Sequence, residues 1–270
     1  MAALAERKLA LVTGASAGLG AAFARAYAAR GLDVALVARR AERLEALAAE
    51  LQATHGVQGF PIVADLSAWE AHVPVMAAIA TLGRGVDVLV NNAGFGIAHS
   101  FTAVPWARQR DFLMTMAVNA CGLAYDVIPG MVERGGGAIV NVASMAAFSP
   151  GVAGNSLYPG VKSLMVKFSQ SLDAEYRAAG LKVTAVCPGF TKTEFAAQAG
   201  IQEIMERESR LFWQMPEAVV EATIRGNERG KVVVIPGWHN RLAAALLRGL
   251  PEPLVRAIIA AGSAKYHLEP

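Results

Sequence analysis

Short apolar runs alternate with longer amphipathic segments along most of the chain. Several short runs are continuously apolar rather than alternating, which is typical of strands buried on both faces of a parallel sheet. The segment after the first run has apolar side chains at helical spacing from Leu19 to Tyr27, and Gly31 ends it. The pattern predicts strands at residues 9–12, 34–37, 59–63, 86–90, 138–142, 183–186 and 232–235.

Strands that alternate with helices form right-handed crossovers and a parallel, doubly wound sheet. Hydrophobic residues make up 54% of the 270 residues, enough to cover both faces of such a sheet. No linker, repeat or low-complexity segment divides the chain. We therefore expect an α/β fold with about seven strands, in a single domain over residues 1–270.

Charge and cysteine content narrow the function classes. The net charge is +3, but Lys and Arg are scattered, which argues against a nucleic-acid partner. Cys121 and Cys187 could pair, but residues 1–7 lack the apolar stretch of a secretory signal, so a reduced, cytoplasmic protein is expected. No apolar segment is long and uninterrupted enough to predict a transmembrane span, and the histidines lack the spacing of metal ligands.

A glycine-rich turn follows the first predicted strand and opens a helix. Glycines permit a tight turn and close approach of N–H groups to a pyrophosphate, and a helix N-terminus favours negative charge. Three glycines alone are weak evidence, but the strand before, the helix after and the distance to the second strand match a dinucleotide site. The pattern predicts a Rossmann-type sheet whose cofactor-binding loop contains Gly14, Ser16, Gly18, Leu19 and Gly20.

The end of the second strand indicates which dinucleotide binds. An NAD enzyme needs an acidic side chain there for the ribose 2′-hydroxyl, and Ala38 stands in that place. Arg39 follows, and its guanidinium suits a 2′-phosphate in charge and in donor geometry. The alternative is that Arg39 and Arg40 are only the solvated start of the next helix. We expect NADP(H) to be favoured over NAD(H).

Further motifs follow in a fixed order: Asn91-Asn92-Ala93-Gly94, then Asn119, Ser144, Tyr158 with Lys162, and Pro188-Gly189 through Thr193. With the Gly-x-x-x-Gly-x-Gly spacing of the first turn, the chain resembles the short-chain dehydrogenase/reductase family in its compact form. The resemblance covers about residues 8 to 235. It implies an enzyme that transfers a hydride between a nicotinamide and a carbonyl or alcohol carbon.

The residue types suit that chemistry. Tyr158 and Lys162 lie four apart, so on a helix they share one face. A neighbouring ammonium lowers the pKa of a phenol from its usual value of about 10, so that the phenol can exchange a proton with the substrate oxygen. Ser144 can hydrogen-bond the same oxygen. These three side chains are the predicted catalytic set, together with Asn119.

The resemblance implies roles for other residues. Lys162 would also hold the nicotinamide ribose, and Asn119 would support Lys162 through a water in a proton relay. For Asp65 a helix cap is an equal alternative, and for Asn91 and Gly94 a strand-end turn. The remaining cofactor-binding residues implied are Asp65, Leu66, Asn91, Ala93, Gly94, Pro188, Gly189, Thr191 and Thr193.

Two features depart from the family pattern. The stretch between Ser144 and the tyrosine is one position longer than expected, so the loop 151–156 should bulge toward the substrate. Pro159 directly follows the tyrosine, and proline is tolerated only in the first turn of a helix. The helix should therefore begin no earlier than about Asn155, with Asn155 or Ser156 as its cap.

The substrate side is expected to be apolar. By resemblance, residues 190–215 form a lid, and residues 238–262 add a helical extension that covers the cleft or packs on a neighbouring subunit. Charges on both sides of its pattern argue against a membrane surface. The apolar residues of this side, some of them core residues, are Phe95, Ile97, Phe101, Met145, Phe148, Phe190, Phe195, Ile201, Ile204, Met205, Leu211, Phe212, Trp213 and Met215.

The sequence therefore predicts an NADPH-dependent carbonyl reductase or alcohol dehydrogenase for an apolar ketone, aldehyde or secondary alcohol. A catalytically weak, nucleotide-sensing binding protein on the same fold is the alternative, but it would be expected to lack the tyrosine or the lysine. An extended-type epimerase or dehydratase is disfavoured by the glycine spacing. By resemblance, a homodimer or homotetramer should form through helices near 119–133 and 158–179.

Overall fold

Seven parallel strands form one sheet in the order β3-β2-β1-β4-β5-β6-β7. The computed structural model describes residues 7–151, 153–195 and 212–263. The strands are β1 Leu9–Thr13, β2 Asp33–Ala38, β3 Gly59–Val63, β4 Val88–Asn91, β5 Gly137–Val142, β6 Leu181–Val186 and β7 Val233–Val234. The predicted doubly wound α/β sheet is confirmed, with each of the seven strands at its expected place.

Helices cover both faces of the sheet, as continuously apolar strands require. The described helices are α1 Gly18–Ala28, α2 Ala41–His55, α3 His72–Thr81, α4 Trp106–Leu113, α5 Asn119–Glu133, α6 Tyr158–Tyr176, α7 Pro216–Glu228, α8 Trp238–Gly249 and α9 Glu252–Ser263. One core layer lies between the sheet and α1, α2 and α7, and the other between the sheet and α3, α5 and α6. The last two helices occupy the stretch expected to form an extension.

A π-helical turn, Met114–Val118, joins α4 to α5. Among the described residues, the continuous stretch Trp106–Glu133 alone has the length and apolar composition of a membrane span. Its most apolar window is 56% buried inside the fold, which is how a core helix behaves. Here α5 packs against the sheet through Leu123, Val127 and Met131.

The helix α6 begins at Tyr158, and Pro159 lies in its first turn. The predicted limit on its start is confirmed, because proline's missing N–H costs nothing at that position. The predicted cap is wrong. Leu157 occupies the cap position without a side-chain bond, and Asn155 instead accepts a hydrogen bond from the N–H of Tyr158 through its backbone oxygen at 3.2 Å.

Candidate active site

The strand order reverses between β1 and β4, so the loops that leave these strands diverge to opposite sides of the sheet. Ligands of open parallel sheets bind in the crevice at such a point. A cleft of about 790 Å³ opens there. Most of the sequence-predicted residues line it, namely Gly14, Ser16, Gly18, Leu19, Arg39, Asp65, Leu66, Ala93, Gly94, Ser144, Tyr158, Lys162, Pro188, Gly189, Thr191 and Thr193.

The turn after β1 fits a phosphate group. Gly14 has a φ of +66°, which side-chain-bearing residues rarely adopt, and a Cβ on Gly20 would lie 2.1 Å from the backbone oxygen of Gly14. The helix α1 begins at Gly18, and Ala17 before it provides no side-chain cap. The first N–H groups of α1 are therefore available to an anion rather than to a capping side chain. Gly20 supports this cradle from behind.

Thr13, which the sequence analysis did not single out, ties this turn to the next loop. Its hydroxyl donates a hydrogen bond to the backbone oxygen of Val90 at 3.1 Å and accepts bonds from the N–H groups of Asn92 and Ala93 at 2.9 and 3.0 Å. The side-chain amide of Asn92 donates back to the oxygen of Thr13 at 2.8 Å. The two loops that border the cleft are thus held as one unit.

The end of β2 carries two arginines with different surroundings. Arg39 is exposed and lines the cleft. Arg40 bonds the hydroxyl of Ser16 through Nε and Nη2, at 3.2 and 2.9 Å, and bonds Glu194 through Nη1 at 3.0 Å. Arg40 therefore bridges the glycine turn and a distant segment, although its side chain remains partly exposed. The sequence pointed to its neighbour, because a dipeptide of arginines does not reveal which side chain faces the turn.

Asp65 follows β3 and lines the cleft with Leu66. Its carboxylate accepts a hydrogen bond from the N–H of Ser67 at 3.0 Å, so the turn-capping reading of this residue also applies. Burial acts to raise the pKa of Asp65, but bonds from Ser67 and the charges of Arg39 and Arg108 outweigh it and lower the pKa. The carboxylate is ionised at the mouth of the cleft and can accept a further hydrogen bond.

Ser144, Tyr158 and Lys162 meet at the other end of the cleft. Ser144 follows β5, and Tyr158 and Lys162 occupy the first turns of α6. The ammonium of Lys162 donates to the backbone oxygen of Val142 at 2.7 Å and lies 5.5 Å from the centre of the Tyr158 ring. The three side chains can therefore act on one substrate atom near the phenol oxygen.

The electrostatics of this triad differ from the sequence-based expectation. Burial raises the pKa of Tyr158 to about 12, against a smaller lowering by a hydrogen bond with Ser144. Burial also lowers the pKa of Lys162 to about 8. The expected lowering of the phenol pKa by the ammonium is therefore wrong for this state, because removal from water favours the neutral form of both groups. The phenol is held in its proton-donating form.

Two asparagines of the predicted site lie in the core. The side chain of Asn119 donates to the backbone oxygens of Leu66 and Ala68, both at 2.9 Å, and accepts a bond from the N–H of His72 at 3.1 Å. It holds the loop after β3 in place, and no described hydrogen bond links its side chain to Lys162. Asn91 donates to the backbone oxygen of Ala120 at 2.9 Å and to Asn141 at 3.0 Å.

A small cavity lies beside the lysine. Its volume is about 10 Å³, roughly one water molecule, and both Asn91 and Lys162 line it. The Oδ1 atom of Asn91 is buried and has no hydrogen-bond partner among the described residues. A water-linked relay from Lys162 therefore has a matching acceptor in Asn91, whereas the sequence pointed to Asn119.

The substrate side of the cleft is largely apolar. Phe95, Ile97, Met145, Phe190 and Phe195 line it, as expected. Of the other predicted pocket residues, Phe101, Phe148, Phe212, Trp213 and Met215 do not line it, and Ile201, Ile204, Met205 and Leu211 lie outside the described residues.

Polar side chains also line the cleft, among them Arg108, Asp111, Asn155 and Asn240. Asn155 belongs to the loop expected to bulge toward the substrate. Within the described parts of the chain, no three His, Cys, Asp or Glu residues cluster in a way that could hold a metal ion.

Comparison with known proteins gives a family match. A family model described as short chain dehydrogenase matches residues 8–204. An uncharacterized oxidoreductase of Myxococcus xanthus is 34% identical over 250 residues, covering 93% of this chain and 95% of the relative.

Solved structures give the same result. A short-chain dehydrogenase from Sphingobium yanoikuyae in complex with NADPH has a TM-score of 0.79 and 32% identity, covering 91% of this chain and 97% of the other. A bulky-bulky ketone specific alcohol dehydrogenase from Comamonas testosteroni has a TM-score of 0.75 and 26% identity, covering 97% and 95%.

The buried lysine predicts a pH dependence of stability. The unfolded chain binds a proton at Lys162 up to its usual pKa of 10.5, whereas the folded chain releases it above about 8. The folded state should therefore gain stability as the pH rises from about 8 to 10.5, on the order of 3 kcal/mol relative to Lys162→Met. Urea unfolding of both proteins across this range measures the difference. Lys167→Met, exposed on the same helix, is the control, and a pH-independent difference for Lys162→Met would contradict the prediction.

Proposed function

The chain belongs to the short-chain dehydrogenase family and is an oxidoreductase, and we propose that it is an NADPH-dependent carbonyl reductase that also oxidises the corresponding secondary alcohols. The observation that carries this proposal is the cleft itself. Its one end is a phosphate cradle beside arginines, and its other end holds Ser144, a neutral Tyr158 and Lys162.

The dinucleotide would lie along the cleft between these ends. Gly14, Gly18 and Gly20, with Ser16 and Leu19, would hold the pyrophosphate, and Arg39 the 2′-phosphate. When bound, the dinucleotide supplies or takes up the hydride. The other residues proposed to hold it are Asp65 and Leu66 at the adenine, Ala93 and Gly94 at its ribose with Asn91 buried behind them, Lys162 at the second ribose, and Pro188, Gly189, Thr191 and Thr193 at the nicotinamide.

The protein's own part in the reaction is to orient the substrate and move a proton. Ser144 donates a hydrogen bond to the carbonyl oxygen, and Tyr158 gives its phenolic proton to the same oxygen as negative charge develops there. The ammonium of Lys162, on the adjacent turn, stabilises the phenolate that remains. Asn119 contributes by holding the loop after β3, and Asn91 faces the water-sized cavity beside Lys162.

An apolar carbonyl compound suits the wall of the cleft. The side chains nearest the triad include Phe195, whose ring centre lies 6.1 Å from that of Tyr158, and Met145, which directly follows Ser144. The neighbour from Comamonas testosteroni is named as specific for bulky-bulky ketones, which supports the same substrate class. Residues 190–195 begin the proposed lid, and Asn240 and Ala243 of α8 border the cleft, which supports an extension that covers it.

Tyr158→Phe tests the assignment of the proton donor. Turnover should fall by about 10²–10⁴-fold, because the change removes only the hydroxyl. Binding of NADPH should be retained. NADPH absorbance with a panel of ketones measures the rate, and Tyr176→Phe, at the far end of the same helix, is the control. Near-normal turnover in protein free of wild type would refute the assignment.

The coenzyme preference is tested at the end of β2. Ala38→Asp should move the preference toward NAD(H), because a carboxylate there accepts bonds from a 2′-hydroxyl and repels a 2′-phosphate. Arg39→Ala should weaken NADP(H) alone, by about tenfold, since one charge-assisted hydrogen bond is lost. The measured quantity is kcat/KM for each coenzyme. A wild-type enzyme with a higher kcat/KM for NADH than for NADPH would overturn this reading.

The protein is also proposed to be a cytoplasmic homodimer or homotetramer. Cys121 and Cys187 are both free, as a reducing compartment would keep them. Apolar side chains are exposed on α5 and α6, with Tyr125 80% and Leu164 43% exposed. Pairing of these helices between subunits would cover them. Light scattering at micromolar concentration should give two or four times the 28.3 kDa chain mass, and a monomeric mass would refute this part of the proposal.

A further inference from the structure

A carboxylate of the proposed lid, that of Glu194, lies between two arginines at the start of α2. Oε1 of Glu194 accepts a hydrogen bond from Arg43 at 2.7 Å, and Oε2 accepts one from Arg40 at 3.0 Å. These two bonds and the charges behind them lower the pKa of Glu194. Arg40 and Arg43 precede Glu194 by 154 and 151 positions, so the tertiary fold and not the local sequence brings them together.

Arg40 lies near the place where a 2′-phosphate is expected. Arg40 also bonds Ser16 of the glycine turn, and Arg40, Ser16 and Glu194 all line the cleft. In dinucleotide sites of this kind, the ribose 2′ substituent lies near the end of the second strand and next to the glycine turn. Arg40 directly follows Arg39 at that strand end, so its guanidinium is within this region and is already paired with an anion.

We propose that Glu194 is an internal competitor of the coenzyme's 2′-phosphate for Arg40, and that it thereby determines how strongly NADP(H) is preferred. This rests on the proposed coenzyme preference. A phosphate monoester carries up to two negative charges and three acceptor oxygens, so it can take the donors that Glu194 now holds. The carboxylate must then leave Arg40 or remain beside a like charge. NAD(H), which has no charge at this position, meets no such competition.

The neighbours of Glu194 connect this exchange to the rest of the site. Thr193 packs on the glycine turn, where a Cβ on Gly18 would lie 3.1 Å from its side chain. Phe195 has its ring against Tyr158. Thr193 thus contacts the glycine turn, Glu194 the two arginines and Phe195 the ring of Tyr158. If Glu194 releases the arginines, the residues on either side of it keep their own contacts.

Binding of NADPH and NADH to Glu194→Gln tests the proposal without any turnover. Dissociation constants come from quenching of tryptophan fluorescence in the purified full-length protein. NADPH should bind about three- to tenfold more tightly than to wild type, since exposed ion pairs contribute only a modest amount each. NADH should change by less than about twofold. Glu221→Gln is the matched control, because Glu221 also pairs with two arginines, Arg30 and Arg225, but does not line the cleft.

Repeating the measurement in Arg40→Gln protein shows whether Glu194→Gln changes NADPH affinity through Arg40. In Arg40→Gln protein, the further change Glu194→Gln should raise the NADPH affinity much less than it does in wild type. The reason is that the Arg40 guanidinium, for which the two anions compete, is already absent. An unchanged NADPH affinity, an equal gain for NADH, or a gain that persists undiminished in Arg40→Gln would each overturn the role of Glu194. Wild-type protein that binds NADH more tightly than NADPH would instead refute the coenzyme preference itself.

Discussion

The hydroxyl of Thr13 joins the two halves of the sheet at the point where the strand order reverses. It donates to Val90 at the end of β4 and accepts from the N–H groups of Asn92 and Ala93 in the following loop. Adjacent parallel strands usually diverge into their loops here, which would leave these N–H groups buried without partners. Because Thr13 satisfies them, the glycine turn and the loop after β4 form one rigid wall. That wall borders the cleft through Gly14, Asn92 and Ala93.

A series of hydrogen bonds between buried polar side chains connects β4 and β5 to α6. Asn91 donates to Asn141 of β5 at 3.0 Å, Asn141 donates to Ser169 of α6 at 2.9 Å, and the Ser169 hydroxyl donates to the backbone oxygen of Met165 at 2.7 Å. Burying any of these polar groups without its partner would be costly. A shift of α6 that breaks these hydrogen bonds is therefore unfavourable. The helix that carries Tyr158 and Lys162 is thereby fixed in depth against β4 and β5.

The sequence predicts those features that depend on neighbouring residues. Continuous apolar runs are enough to find the seven strands, and the glycine spacing finds the tight turn between β1 and α1, because both patterns are local. The positions of Arg40 and Asn119 are different. Their partners, Glu194, Leu66 and His72, are 47 to 154 residues away, and no spacing rule connects them. The same limit explains the wrong sign for Tyr158, since a four-residue spacing gives the shared helix face but not the burial that raises the pKa.

Burial also determines the protonation state of Tyr158 in the absence of coenzyme. A phenol with a pKa of about 12 is almost entirely protonated near neutrality, so without coenzyme Tyr158 is in the form that gives a proton to a substrate oxygen. Part of that burial comes from Phe112 and Phe195, whose ring centres lie 6.4 and 6.1 Å from that of Tyr158. Phe195 directly follows Glu194, which is held by ion pairs with Arg40 and Arg43. Any displacement that takes Phe195 off the phenol admits water and moves its pKa back toward 10, because the desolvation that favours the neutral form is relieved. The pKa of Tyr158 is therefore linked, through Glu194 and Phe195, to the charges of Arg40 and Arg43.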